Sequence, residues 1–346
     1  MFEKNLKYYR LKKNMNMKDL AAACGVTSMA ISNYESGKRT PDMETINKLA
    51  KALDVNVADF LASRNSKLTF DHREFRKHSS LTKGQQEFIQ ESVEEYFSRF
   101  FDAVECLGGE PLPDAPKCHS LKRTGDCEKD ALKLKKSLGL QEDGPIDELI
   151  VILENKGFLV MEMNIDNAHF SGMNGFVNGY PYIVINKNMR PERKRTTLLH
   201  ELAHLMFIWD EGYDAENEKE ATAIAGAALI SEKDLFREIG QHKAKLTKDL
   251  ALVCEEYGIS MYLLVKRAAQ VGIISASLEK EFYIRANKSN WRINEPERVK
   301  KTEKPMLLSQ LVYRAINEEG LSIQRGAELL KLPISEMEHF CGLMEV

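Results

Sequence analysis

The order of apolar and polar positions divides the chain into long stretches of helical period and a few short runs of strand period. Phe2, Leu6, Tyr9 and Leu11 recur at helical spacing over residues 2–13, with lysines between them. Asn16 offers an N-cap to a second helix over Met17–Cys24, which Gly25 stops. Thr27 caps a third over Ser28–Glu35, closed by Ser36-Gly37. Pro41-Asp42 opens a fourth with Ile46, Leu49, Ala50 and Leu53 on one stripe, and Val55–Leu61 completes a five-helix unit. After a polar linker, an aromatic-rich amphipathic helix runs from Gln85 to Val104 through Phe88, Ile89, Val93, Tyr96, Phe97 and Phe100. A Gly/Pro-rich break over 108–116 follows.

Beyond the break, residues 128–139 read as a helix ended by Gly139, and Pro145 starts another that carries Leu149, Ile150, Ile152 and Leu153. Phe158–Met163 is a strand candidate, and β-branched Tyr182–Asn186 is the clearest strand in the chain. Between them, 170–175 and 179–181 read as turns flanking a short strand. A polar stretch over 187–195 leads into an apolar helix around residues 196–207, and residues 218–230 form a helix with small residues on one face. Residues 232–275 are helical by pattern with a break at Gly258-Ile259-Ser260, 287–304 form a polar connector, and Pro305–Val346 make a small helical cap. The expected fold is mainly α with one α+β unit and a small sheet. Its expected segments are 1–66, 67–116, 117–286 and 287–346.

At 346 residues the chain is long enough for two or three domains, and 43% hydrophobic with 29% charged residues describes a globular protein. No apolar run approaches the roughly 18 residues of a membrane span. The first residues, Met-Phe-Glu-Lys-Asn-Leu-Lys, hold no apolar signal core, so no membrane association and a cytoplasmic location are expected. Six scattered cysteines suit a reducing compartment. The net charge of −3 averages unlike segments. Residues 1–66 carry 11 Lys/Arg against 7 Asp/Glu, whereas residues 210–220 hold Asp210, Glu211, Asp214, Glu216, Glu218 and Glu220 against Lys219 alone.

The candidate chemistry centres on His200-Glu201-Leu202-Ala203-His204. Residues four apart on a helix share a face, so both imidazoles can meet one tetrahedral zinc ion. Glu201 then stands beside the metal's open position, placed to take a proton from an attacking water. A catalytic zinc needs a third protein ligand. Glu218 shares a face with Ala221, Thr222 and Ala225, and the small residues let its helix approach the first; Glu220, two positions round, is the alternative ligand. Tyr180, Tyr213 and Arg267 are candidate donors to a tetrahedral oxyanion. Cys106, Cys118, His119 and Cys127 raise a second metal as a question, but without a Cys-x-x-Cys pair they read as loop thiols.

The string Leu20-Ala21-x-x-Cys24-Gly25-Val26-Thr27-x-x-x-Ile31-Ser32-x-Tyr34-Glu35-x-Gly37-x-Arg39-x-Pro41 resembles the repressor-type (XRE) helix-turn-helix family over most of residues 5–61. The resemblance implies that Ser28, Met29, Ser32 and Asn33 face base edges of double-stranded DNA, with Lys38 and Arg39 at phosphates. Met17 stands where a phosphate-contacting Gln is usual in that family, and Lys18 could substitute. A second string, Ile183-x-Ile185-Asn186, Arg193-x-x-Thr196-x-x-His200-Glu201-Leu202-Ala203-His204 and Glu218-x-Glu220-Ala221-x-x-x-Ala225, resembles the ImmA/IrrE metallopeptidases. That resemblance implies a zincin-like domain with His200, His204 and Glu218 as ligands to Zn2+ and Glu201 as general base. The substrate it implies is a helix-turn-helix repressor, cut in trans or in cis, in stress response or mobile-element control. Strand 182–186 would hold that substrate by backbone pairing. Where the family often has Leu-Leu-Met-Pro, this chain has Ala228-Leu229-Ile230-Ser231. The tail resembles a degenerate second helix-turn-helix without a basic balance, which favours self-association, as in a homodimer, or partner docking over DNA. Two rival functions are a non-catalytic sensor or dimerisation platform and an antitoxin-like binding protein. The intact Glu201 favours the enzyme, since holding zinc alone has no use for a base.

Overall fold

The computed structural model describes residues 1–72, 81–108, 110–167, 170–210, 215–291 and 302–342. Tyr213, the acidic positions 211 and 214 and most of the 287–304 connector lie outside them. The chain forms two compact units, one comprising Met1–Phe70, Ser79–Pro111 and Leu308–Val346, the other Asp71–His78 and Leu112–Leu307.

The first unit begins with α1 (Phe2–Lys12), α2 (Met17–Cys24), α3 (Ser28–Glu35), α4 (Met43–Leu53) and α5 (Val57–Leu61). Their starts are set by local chemistry. Asn16 accepts from the Lys18 and Asp19 amides, Thr27 Oγ1 from Ala30, and Asp42 from Thr45, each satisfying amides that a helix start leaves unpaired. Leu6, Leu20, Ile31, Leu49, Leu53 and Phe60 close the core. Inside the unit Arg10 forks onto Glu35 at the end of α3 (2.5 and 2.8 Å), both side chains about 95% covered. The helix α6 (Lys83–Leu107) exceeds its apolar pattern at both ends, and its earlier start follows from Thr82 and Gln85 capping each other's backbone reciprocally. The C-terminal helices α15 (Leu307–Asn317), α16 (Ile323–Leu330) and α17 (Ile334–Cys341) complete the unit. Arg325 reaches Asp102 of α6 at 3.0 Å, and Lys331 reaches Glu95 at 2.8 Å and the Tyr8 hydroxyl at 3.3 Å.

The second unit carries a four-stranded sheet in the order β1 (Phe70–Asp71), β3 (Gly172–Val177), β4 (Tyr180–Asn186), β2 (Leu159–Met163). β4 pairs antiparallel with β3 and parallel with β2. The clearest strand of the sequence is therefore central, with both edges used, and it cannot receive a substrate by strand addition as expected. Residues 172–175 are strand rather than turn. Their glycines answer close contacts: a Cβ at Gly172 would stand 2.6 Å from Thr197 Cγ2 and 2.9 Å from the Val184 carbonyl, and one at Gly175 would stand 2.5 Å from the Tyr182 hydroxyl. The reversal itself falls at Asn178-Gly179, both at positive φ, as a two-residue hairpin requires.

Helices α7 (Cys127–Leu138), α8 (Leu149–Asn155), α9 (Pro191–Met206), α10 (Ala215–Leu229), α11 (Glu232–Ile239), α12 (Leu250–Tyr257), α13 (Met261–Gln270) and α14 (Ala276–Lys288) complete this unit. Pro145 does not start α8. Glu148 adopts φ 49° and the carbonyl of buried Ile146 accepts from Arg195, which keeps 145–148 out of the helix. The central core packs Val160, Ile183 and Ile185 of the sheet against Leu198, Leu199, Leu202 and Leu205 of α9, and Ala221, Ile224 and Ala225 of α10. Glu303 of the expected connector is half-buried, pairing with Arg195 and accepting from the Ile150 amide at 2.9 Å. Among the described residues no helix is long and apolar enough to cross a membrane.

Candidate functional site

α9 and α10 bring three of the expected residues to one point. His200 Nε2 and His204 Nε2 stand 3.2 Å apart; Glu218 Oε2 lies 3.2 Å from the first and Oε1 3.3 Å from the second. Four ligands around zinc at about 2.0–2.1 Å stand about 3.3–3.4 Å from one another in a tetrahedron, so the triangle has the size of one tetrahedral face. It is the one such cluster of His, Cys, Asp and Glu among the described residues. His204 is buried, whereas His200 and Glu218 are half-buried. Their hydrogen bonds to the two imidazoles hold the Glu218 carboxyl well below the usual carboxylate range.

Residues beyond the ligands set their orientation. Thr222, one turn after Glu218, donates to the Glu218 carbonyl (2.8 Å), so its oxygen can accept from His200 Nδ1–H (3.2 Å). With a metal held at the cluster in place of the Nε2–H bond to Glu218, that bond would leave the Nε2 lone pair facing the ion. Glu201 is buried on the sheet side of α9, where Asn174 Nδ2 donates to Oε2 at 2.8 Å. Gly172 and Asn174 lie on the face of β3 turned to α9, and the glycine lets the strand come close to Glu201. Neither Asn174 nor Trp209, whose ring stands 5.0 Å from that of His204, was singled out from the sequence. Strand parity with Gly172 was the available signal for Asn174, hidden by reading 170–175 as a turn.

Other candidates are placed elsewhere. Glu220, the alternative ligand, pairs with Arg123 at 2.6 Å and is not part of the cluster. Arg267 is 1% exposed and bonded to Glu128 and the Ile230 carbonyl, so it is a core tie and not a donor to an oxyanion. Tyr180 is half-buried at the start of β4. Cys118 and Cys127 are separate free thiols in this unit, and burial pushes the Cys118 thiol up to about 11, so the thiolate that ligates metal is disfavoured there. Cys106 is exposed on α6, in the other unit.

In the first unit α2 and α3 form the helix-turn-helix. Ser28 and Met29 are exposed at the start of α3, with Met29 67% accessible, and Ser32 and Asn33 are half-buried one turn on. The Asn33 carbonyl accepts from the Lys38 and Arg39 amides (2.9 and 3.2 Å), which fixes the turn that exposes both cations.

The two arrangements define a chain that joins a helix-turn-helix module to a metallopeptidase-like domain. Residues 6–60 match the helix-turn-helix family, and residues 153–269 match the IrrE N-terminal-like domain, a peptidase family. The chain belongs to the helix-turn-helix transcriptional regulators and carries an IrrE/ImmA-like domain. It is 33% identical over 70 residues to the HTH-type transcriptional regulator YqaE of Bacillus subtilis, covering 20% of this chain and 60% of that protein. It is 28% identical over 68 residues to the cryptic phage CTXphi transcriptional repressor RstR of Vibrio cholerae, covering 20% and 61%. To an HTH-type transcriptional regulator of Methanocaldococcus jannaschii it is 39% identical over 54 residues, 16% of this chain and 82% of that one. The chain thus spans about three-fifths of the length of the first two relatives.

Proposed function

We propose that this protein is a DNA-binding regulator whose second unit is a zinc-dependent endopeptidase acting on a helix-turn-helix repressor. The observation that carries the reading is the triangle of His200, His204 and Glu218, sized for zinc, with Glu201 adjoining His200 on α9 and its carboxylate held by Asn174. When bound there, zinc would supply a Lewis acid for the scissile carbonyl. Glu201 takes the proton of the attacking water and returns it to the leaving amine nitrogen, and Asn174 holds its carboxylate in one orientation. Among the described residues β3 is the strand beside Glu201 whose outer neighbour, β1, spans only two residues, so an extended polypeptide is better received there than on β4. Ser28, Met29, Ser32 and Asn33 read an operator while Lys38 and Arg39 hold its phosphates.

Replacing Glu201 by Gln tests the reading. The variant should keep one zinc per chain by metal analysis while losing cleavage of a co-encoded repressor by about 10²–10⁴-fold. Equal loss of zinc would make Glu201 structural, and full activity would remove its catalytic role.

A further inference from the structure

We propose that Arg123, upstream of the matched peptidase segment 153–269, is a positioning residue of the metal centre, acting as a clamp on the end of the ligand helix. The inference rests on the zinc reading above. His204 lies in the last turn of α9, and the chain leaves the helix at Phe207 in extended conformation. A last turn has carbonyls without helical partners and frays unless they are met. Here they are met from outside. Leu205 O accepts from the His119 amide (2.8 Å) and Met206 O from the Ser120 and Leu121 amides (both 3.0 Å), while Ala203 O, already bonded to the Phe207 amide (3.0 Å), also accepts from Trp209 Nε1 (3.2 Å). The Ile208 amide returns a bond to Leu121 O (2.9 Å).

Arg123 locks this strap. Its guanidinium lies 4.6 Å from the Trp209 ring centroid, and Nε donates to the Ile208 carbonyl (3.1 Å). NH1 donates to Asn217 Oδ1 (3.2 Å) and Glu220 (2.6 Å) on α10, and NH2 to Asp210 (2.7 Å). Asp210 is almost fully exposed, so that pair is screened and adds little. One side chain therefore joins the segment leaving the histidine helix to the helix bearing Glu218, with Trp209 held between it and the His204 ring. The fork and the flat stacking face are properties of arginine that lysine lacks. Glu220 then acts as the anchor of the clamp rather than as a ligand.

The test is zinc affinity of the full-length protein, measured by competition with a chromophoric chelator and followed independently by Co2+ quenching of Trp209 fluorescence in a Trp291→Phe background. Arg123→Met should weaken zinc binding about 10–100-fold, as loss of an outer partner of a ligand does. Arg123→Lys, which keeps the charge, should fall between and guards against a misfolded methionine variant. In a cycle with Glu220→Gln the two losses should be strongly non-additive, because both break one clamp. Additive losses, or unchanged affinity in both Arg123 variants while the wild type binds zinc, would overturn the clamp alone. Failure of the wild type to bind zinc would overturn the metal reading and the clamp with it.

Discussion

Gly172→Ala is the sharpest probe of how the sheet is fitted to the site. The added Cβ would stand 2.6 Å from Thr197 Cγ2 and 2.9 Å from the Val184 carbonyl. Carbon atoms prefer about 3.5–4.0 Å, so the first contact is short by about 1 Å. Neither obstacle can swing aside. Thr197 is β-branched on a helix, with restricted χ1, and the carbonyl belongs to the strand paired with β3. β3 must therefore retreat from α9, at a cost of about 1–3 kcal/mol. In a unit of about 200 residues that lowers Tm by about 2–4 °C per kcal/mol. Because Asn174 rides on β3 while the three ligands ride on α9 and α10, the displacement falls on the base. Zinc affinity should change by less than threefold, whereas cleavage should drop about 10²-fold for a shift near 1 Å. Calorimetry, metal competition and a cleavage time course measure the three. Adding Thr197→Ser, which removes Cγ2 and keeps the hydroxyl, should restore part of the Tm. An unchanged Tm in the single variant, or a loss of zinc equal to the loss of cleavage, would refute the reasoning.

Glu35→Gln strands the buried Arg10 guanidinium, so the first unit should lose about 3–5 kcal/mol in chemical denaturation, with DNA binding failing at the same denaturant concentration. Lys38→Ala and Arg39→Ala should each lower the salt slope of DNA binding by about 1 without changing sequence preference, read by fluorescence anisotropy against salt. Burial pushes the Glu154 carboxyl up to about 7, opposed by bonds from the Met306 and Leu307 amides. The folded chain then holds this proton to higher pH than the unfolded chain, so stability should fall as pH rises from about 4.5 to 7 and level off above, by on the order of 3 kcal/mol. Glu154→Gln should remove that slope in melts between pH 5 and 8. Free zinc at 100 times Kd should raise the stability of the second unit by about 2.7 kcal/mol, and Glu218→Ala should abolish the rise.

What the sequence made legible was local. Asn16, Thr27 and Asp42 announce helix starts because each acts within three residues of itself, and the ligand pair follows from helical spacing. Glu218 was reachable because Ala221, Thr222 and Ala225 share its face, and Thr222 carried a second signal in its position one turn on. The same glycines that suggested a turn at 172–175 mark a strand pressed against α9, because glycine serves both a bend and a close approach. A run such as Tyr182–Asn186 cannot say whether both of its edges are paired. Arg123 meets partners 85 to 97 residues away and Glu303 one 108 away, and no local pattern encodes such contacts.

The most direct measurement is intact-mass and terminal-peptide spectrometry of the zinc-loaded protein incubated with helix-turn-helix repressors and, separately, alone. One zinc-dependent cut in a repressor or in the chain itself, absent with a chelator and in Glu201→Gln, is the predicted result and distinguishes action in trans from action in cis. Stoichiometric zinc with no new terminus on any repressor or on the chain itself would contradict the peptidase and leave a metal-holding sensor in its place.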